Sequence, residues 1–206
     1  MPSPHQLTDA PIEHYKALFE AADPKVLSEK SGIAFDGEKF TIHMMNRPIY
    51  LYWPDMKAVF ADNLSETSPY TRILCGRICL NSVITQSFGE FKAYTDMPWG
   101  NVYAQQFRGR CILRLAFSYG SNLEGFKKSC ESLNGRPIKF GDAGYEIDFI
   151  TEDRGTLSVR LTVWEGDEEF QPQAQVLFSD NFPSAFSAED MAYVGDIIIN
   201  ALKGRW

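Results

Sequence analysis

The chain has 206 residues, 20 basic and 27 acidic side chains for a formal net charge of −7, and a hydrophobic fraction of 44%. This length and apolar content suit one domain with a sizeable core, while the acidic balance argues against nucleic-acid and anionic-membrane partners, which attract basic surfaces. No run of about 18 apolar residues is available to span a bilayer, and the polar start Met1–Ala10 shows no secretory signal. Four cysteines in a chain this long are too few for a disulfide scaffold, so reduced thiols in a cytoplasm are expected.

Residues 1–8 are expected to be disordered, and residues 9–206 to form a single domain. Asp9 and Pro11 carry helix-start signals, and Ile12, Tyr15, Leu18, Phe19 and Ala22 keep helical spacing. Asp23-Pro24 caps a second helix that Ser31-Gly32 closes. Asp36-Gly37 reads as a hairpin turn. After it Phe40, Ile42 and Met44 alternate with Lys39, Thr41 and His43, the pattern of a half-buried strand. Asn46-Arg47 turns into a strand over Ile49–Trp53. The longest helix is placed over Pro69–Ser82, with Tyr70, Ile73, Leu74, Ile78 and Leu80 in a wide apolar stripe. Residues 86–102 read as an irregular loop of a length that is often functional, and two or three short helices follow over Tyr103–Leu133.

Three strands come next, over Tyr145–Ile150, Thr156–Val163 and Gln173–Phe178. The last two flank the acidic turn W-E-G-D-E-E-F at 164–170, where Gly166 and Asp167 can supply positive φ. Pro172, lacking an N–H, is placed outside the central ladder. Ser187 with Asp190 forms a capping-box variant that opens a closing helix, whose buried face is Met191, Val194, Ile197, Ile198 and Leu202. The expected fold is α+β, a mainly antiparallel sheet packed with helices. Its centre is the pair Leu157–Trp164 and Ala174–Phe178, with Val163, Val176 and Ile198 buried.

The acidic turn, V-L-F at 176–178 and A-E-D-M-A-Y-V-G-D at 188–196 resemble a family of bacterial and archaeal proteins, the domain of unknown function 3786. P-K-V-L-S-E-K-S-G-I-A-F-D at 24–36, P-I-Y-L-Y-W-P-D at 48–55 and the segment F-G…P-W-G-N-V-Y at 88–103 fit the same family. The resemblance covers about 15–205. It implies a protein of anaerobes, and some members carry an added cysteine-rich iron–sulfur segment like that of corrinoid proteins. No C-x-x-C run occurs in this sequence, so no iron–sulfur motif is present and no cofactor is predicted. The resemblance transfers no catalytic residues.

Five features bear on chemistry. Glu165, Asp167, Glu168 and Glu169 are clustered oxygen donors of the kind that hold calcium or magnesium. Their spacing matches no calcium loop, and the plainer reading is a solvated hairpin tip or a docking surface for a basic partner. Cys75 and Cys79 share a helix face, which suits core packing better than a soft metal. Cys111 lies among Arg108, Arg110 and Arg114, where a helix start beside cations would lower its pKa and make a reactive thiol. The arginines there suggest a phosphate or carboxylate, against the plainer account of a buried cysteine with solvated arginines. Tyr94, Pro98, Trp99 and Tyr103 could wall a small-molecule pocket or fold inward over a core edge. His43 points away from the apolar face of its strand.

No nucleophile elbow, G-x-G-x-x-G or phosphate loop is present. The chemistry-bearing residues are therefore taken as Trp99, Tyr103, Arg108, Arg110, Trp164 and Asp167 for a ligand, the four acidic-turn carboxylates for a divalent metal, and Cys111 as a thiol. The functional expectation is a non-enzymatic cytoplasmic binding or accessory module with a protein or small-molecule partner, serving corrinoid or iron–sulfur metabolism in an anaerobe. The alternative is an enzyme, divalent-metal dependent, with a pocket between the 86–103 loop and the 163–172 turn.

Overall fold

The structure, a computed structural model, describes residues 6–81 and 83–206, with side chains from Ile12 onward. Eight antiparallel strands form one sheet, in the order β3-β2-β1-β6-β7-β8-β4, with β5 added to β6. They are β1 (Lys39–Met44), β2 (Arg47–Tyr52), β3 (Lys57–Phe60), β4 (Phe91–Ala93), β5 (Arg136–Ile138), β6 (Ala143–Glu152), β7 (Gly155–Trp164) and β8 (Gln173–Ser179). The period-two pattern decides which face each residue takes. Leu157, Val159, Leu161 and Val163 are buried on one face of β7, opposite Val176 and Phe178 of β8 on one side and Tyr145 and Ile147 of β6 on the other. The other face carries Thr41, His43, Glu146, Asp148, Ser158 and Arg160. It stays open.

Helices cover the apolar face. They are α1 (Gln6–Ala21), α2 (Pro24–Ser31), α3 (Pro69–Asn81), α4 (Gly100–Phe107), α5 (Arg114–Tyr119), α6 (Leu123–Ser132) and α7 (Ala188–Leu202), and a π-helical turn over Arg108–Leu113 joins α4 to α5. Phe107 packs on Phe178 with ring centroids 5.8 Å apart, and Phe126 of α6 meets Tyr145 edge-on at 6.0 Å. Val163, Val176 and Ile198 are buried, as expected of a central β7–β8 pair. Gly195 lets α7 lie against the π turn, since a Cβ there would stand 2.6 Å from the Cys111 Sγ. No helix among the described residues is long and apolar enough to cross a membrane.

Local signals set several boundaries. Asp23 caps α2 by accepting from the Lys25 N–H at 2.8 Å, and Gly32 closes it in the left-handed region. Ser187 and Asp190 complete a reciprocal capping box at α7. Asp190 is fully buried beside the Arg77 guanidinium, 2.7 Å away.

Other expectations are corrected. Residues 1–5, within the segment expected to be disordered, lie outside the described residues, as does Ser82 at the expected end of α3. Gln6, Leu7 and Thr8 belong to α1, which starts before Asp9. The β1–β2 turn falls on Met45-Asn46, both at positive φ, one residue earlier than expected. Neither Gly166 nor Asp167 has positive φ. Gly166 is required for close approach instead: its N–H donates to the Gly120 carbonyl at 3.1 Å, and a Cβ would meet the Pro172 ring at 2.7 Å. Cys111 does not start a helix but lies inside the continuous run from α4 to α5. Strands β3, β4 and β5, which the sequence reading leaves out, complete the sheet.

Candidate functional site

The sheet splits where β1 meets β6. The two strands share one residue pair, Met44 with Ile150, and one further bond from the Met45 N–H to the Phe149 carbonyl at 2.9 Å. A register shift between Asp148 and Ile150 bends β6 away at that point, as a bulge does. Further along, β5 pairs with Gly144–Glu146 on the same edge of β6. Between the two partners lies a cleft of about 590 Å³. Thr41 and His43 of β1 form one wall, and Asp148, Thr151 and Glu152 of β6 the other. Gly32 and Ala34, just past α2, and Leu133, Asn134 and Arg136 close its ends.

The splayed strand leaves the His43 N–H without a strand partner. Glu152 supplies one: its Oε1 accepts that N–H at 2.9 Å. The Glu152 side chain is only 6% exposed, and the His43 Nδ1 stands 3.9 Å from the same oxygen. Its Oε2 takes no hydrogen bond from the described residues. Burial pushes the carboxyl up from 4.5 to about 7, with the adjacent Asp153 charge adding to the rise and the His43 N–H opposing it. A carboxyl balanced between its two forms at neutral pH, in a cleft, marks a candidate site. Two lining residues, Asn46 and Asn134, hold left-handed backbone at φ 59° and 57°, a strain common at such sites.

The cations nearby are already engaged. Arg136 binds Asp148 at 2.6 Å and Glu146 at 2.7 Å, and the Arg160 Nε donates to Glu146 at 2.9 Å. The Asp148 carboxyl is held below its usual range, first by Arg136 and then by the Ser158 hydroxyl. The cleft thus keeps surplus negative charge at Glu152 and Asp153.

The residues singled out from sequence are dispersed. Trp99 is 80% exposed at positive φ, and with Tyr103 it lines a depression of about 530 Å³ beside Arg77, Phe186 and Glu189. Arg108 lines a different depression with Ile112, Phe117, Gln171 and Pro172. Trp99 and Tyr103 of the 86–103 loop thus line one depression, and Gln171 and Pro172 of the 163–172 turn line another. Arg110 and Arg114 both bind Asp196 of α7, so the anion inferred for the arginines is internal. Trp164 packs edge-on against Phe140 at 5.6 Å.

The acidic turn uses its groups locally. Asp167 accepts the Glu169 and Phe170 N–H groups at 2.8 and 2.7 Å, and the Glu165 N–H donates to Asp142 at 2.8 Å. Glu165, Asp167, Glu168 and Glu169 are not gathered, and among the described residues no three His, Cys, Asp or Glu side chains form a group able to hold a metal ion. Cys111 is fully buried, and desolvation pushes its thiol up to about 12, with Asp196 adding and Arg110 and Arg114 opposing. At this thiol burial outweighs the arginines.

Sequence reasoning missed Glu152, Asp153, Asp148, Arg136, Asn46 and Asn134. A signal was present in β6, where acidic residues occupy the polar-face positions 146 and 148 of an otherwise apolar strand.

The model of the family described as a domain of unknown function, DUF3786, matches residues 23–201. The chain belongs to the DUF3786 family. The matched stretch contains every residue of the cleft. No curated protein and no solved structure matches the chain.

Proposed function

We propose that this DUF3786 protein is a non-enzymatic binding module, and that the cleft at the β1–β6 split takes a small polar ligand through a donor group placed on Glu152. The observation that carries this reading is the Glu152 carboxyl itself: a nearly buried side chain on the cleft wall whose one hydrogen bond among the described residues comes from a main-chain N–H. A protonated amine is the simplest group to complete it, since a charge-assisted bond is stronger than a neutral one and relieves a buried carboxylate. The net charge of −7 supports a partner other than nucleic acid. All four cysteines are free and buried, which supports a reducing cytoplasm. The family resemblance supports an accessory role beside corrinoid or iron–sulfur metabolism in an anaerobe.

One observation favours a second reading as an enzyme. A carboxyl poised near pH 7 with an imidazole 3.9 Å away has the makings of a proton-transfer pair. The experiment is a titration of the wild type and Glu152→Gln with n-butylamine at pH 8, followed by amide chemical shifts. Shifts centred on His43, Asn46 and Asn134 in the wild type, lost in Glu152→Gln, are expected. Absence of shifts in the wild type overturns the proposal, and conversion of the amine during the titration favours the enzyme.

A further inference from the structure

One edge of β8 is only partly covered. Along its inner edge β7 pairs with it from Gln173 to Phe178. Along the outer edge β4 reaches Leu177, Phe178 and Ser179, and the chain then leaves the sheet at Tyr94 in a short helical turn. An antiparallel ladder turns the N–H and C=O of one residue to the same side and those of its neighbours to the other. The Asp180 N–H donates to the Glu90 carbonyl on the β4 side at 3.0 Å, so Phe178, Val176 and Ala174 face that side as well. β4 meets Phe178 but ends before Ala174, whose N–H and C=O have no partner among the described residues.

Beside that open stretch lies a depression of about 650 Å³. Ile112 of the π-helical turn and Ala116 and Phe117 of α5 form one side of it, and Pro172 and Ala174 the other. Phe117 is 61% exposed. Among the described residues the one charged side chain in the lining is Arg108, exposed and in no ion pair. Arg110 and Arg114 differ, because both are bonded to Asp196. Pro172 has no N–H, so it ends the open edge and limits what can add there to a short segment.

We propose that this edge docks an extended acidic peptide of another protein, which adds to β8 in line with β4. Its main chain exchanges hydrogen bonds with the Ala174 N–H and C=O, the pairing by which sheet edges take peptides. Alternate side chains of a strand point to the same face. On the helix side one apolar side chain of the peptide enters the depression against Ile112 and Phe117, and an acidic one two residues away meets Arg108. The Ala174 main chain calls for another main chain, and the unmatched guanidinium calls for an acidic partner. The surface is separate from the Glu152 cleft, and the proposal does not depend on the reading of that cleft.

The test is selection of a phage-displayed random heptapeptide library on the immobilised full chain, followed by titration of the enriched peptides, made synthetically, against isotope-labelled protein. Enriched peptides are expected to carry an acidic and an apolar residue two positions apart and to shift the Ala174 and Phe117 amides. Ala174→Pro removes the outward N–H and spares the ladder to β7, which uses Gln173 and Gln175. It is expected to weaken binding about tenfold. Arg108→Glu is expected to weaken it about fivefold or more. No enrichment, enriched peptides that leave the Ala174 amide unmoved, or full affinity in Arg108→Glu overturns the proposal. Arg108 is exposed and unbonded among the described residues, so its variant keeps the test decisive even where melting curves show that Ala174→Pro does not fold.

Discussion

The main-chain N–H of His43 donates to the Glu152 Oε1 across 2.9 Å, so a side chain from the end of β6 takes the place of a neighbouring strand's carbonyl. The sheet splits there, and an unmet N–H in a half-buried strand costs about as much as a lost hydrogen bond. Glu152 meets it, but at the expense of burying its own carboxyl. The burial that comes with this placement raises the carboxyl, and the bond itself opposes that rise.

Stability should depend on pH through this residue. Folding lifts the Glu152 carboxyl from 4.5 to about 7. Between those values the folded chain holds a proton that the unfolded chain has released, so Glu152 makes stability fall as pH rises through the window and level off above it. Glu152→Gln keeps an acceptor for His43 and removes the charge. It should exceed the wild type by about 2–3 kcal/mol at pH 8 and nearly equal it at pH 4.5. Urea unfolding at the two pH values measures the difference.

Amine binding should follow the same proton with the opposite benefit. The groups facing Glu152 are His43 from β1, Asp153 from the following turn, Asp148 within β6, and the Cys75 and Cys79 thiols of α3, both pushed up by burial first and the Glu152 charge further down. A cation prefers the carboxylate, whose fraction rises about tenfold from pH 6 to pH 8 for a group near 7. Affinity for n-butylamine should rise by a similar factor across that range. A flat profile by calorimetry would separate binding from Glu152.

The Arg77–Asp190 pair fastens α3 to the start of α7. Arg77→Met strands a buried carboxylate and should cost about 3–5 kcal/mol. Ser187→Ala removes only one half of the capping box and should cost about 1 kcal/mol. Urea midpoints of the two variants should rank in that order, and the reverse order would place the stabilisation in the cap.

Gly195 is a contact glycine. Gly195→Ala drives a methyl toward the Cys111 sulfur and the Phe107 ring, at 2.6 and 3.2 Å, and should destabilise by about 1–3 kcal/mol. Adding Cys111→Ala removes the obstructing sulfur, so the double variant should be more stable than the sum of the singles. Strict additivity in thermal unfolding would count against the close approach.

All four thiols should be silent in the native state. Cys75, Cys79, Cys111 and Cys130 are buried, and desolvation raises each above the ordinary range. A thiol-reactive chromophore should label none of them before denaturant is added and all four after. Rapid native labelling of Cys111 would restore the role its arginines suggested.

How much of this was legible depends on the range of the interaction. Alternation in β1, β6, β7 and β8, the cap at Asp23, the glycine at 32 and the Ser187–Asp190 box are written in neighbouring residues, and each appears where its pattern puts it. The short strands β3, β4 and β5 have too few residues for a period, and they form because an edge of the sheet is there to receive them. Arg110 and Arg114 read as a ligand patch because Asp196 lies on a helix far along the chain. Glu165, Asp167, Glu168 and Glu169 read as a cluster, yet the backbone of the turn claims Asp167.

The sequence by itself determined the α+β class, the buried faces and the family, because periodicity and composition act through local chemistry that every strand and helix carries with it. Only the tertiary structure decided the site. Glu152, His43, Asp148 and Asn134 come from segments that meet where β1 parts from β6. Nothing in any one of them encodes the parting, which arises from the bulge in β6 and the competition of β1 and β5 for the same edge.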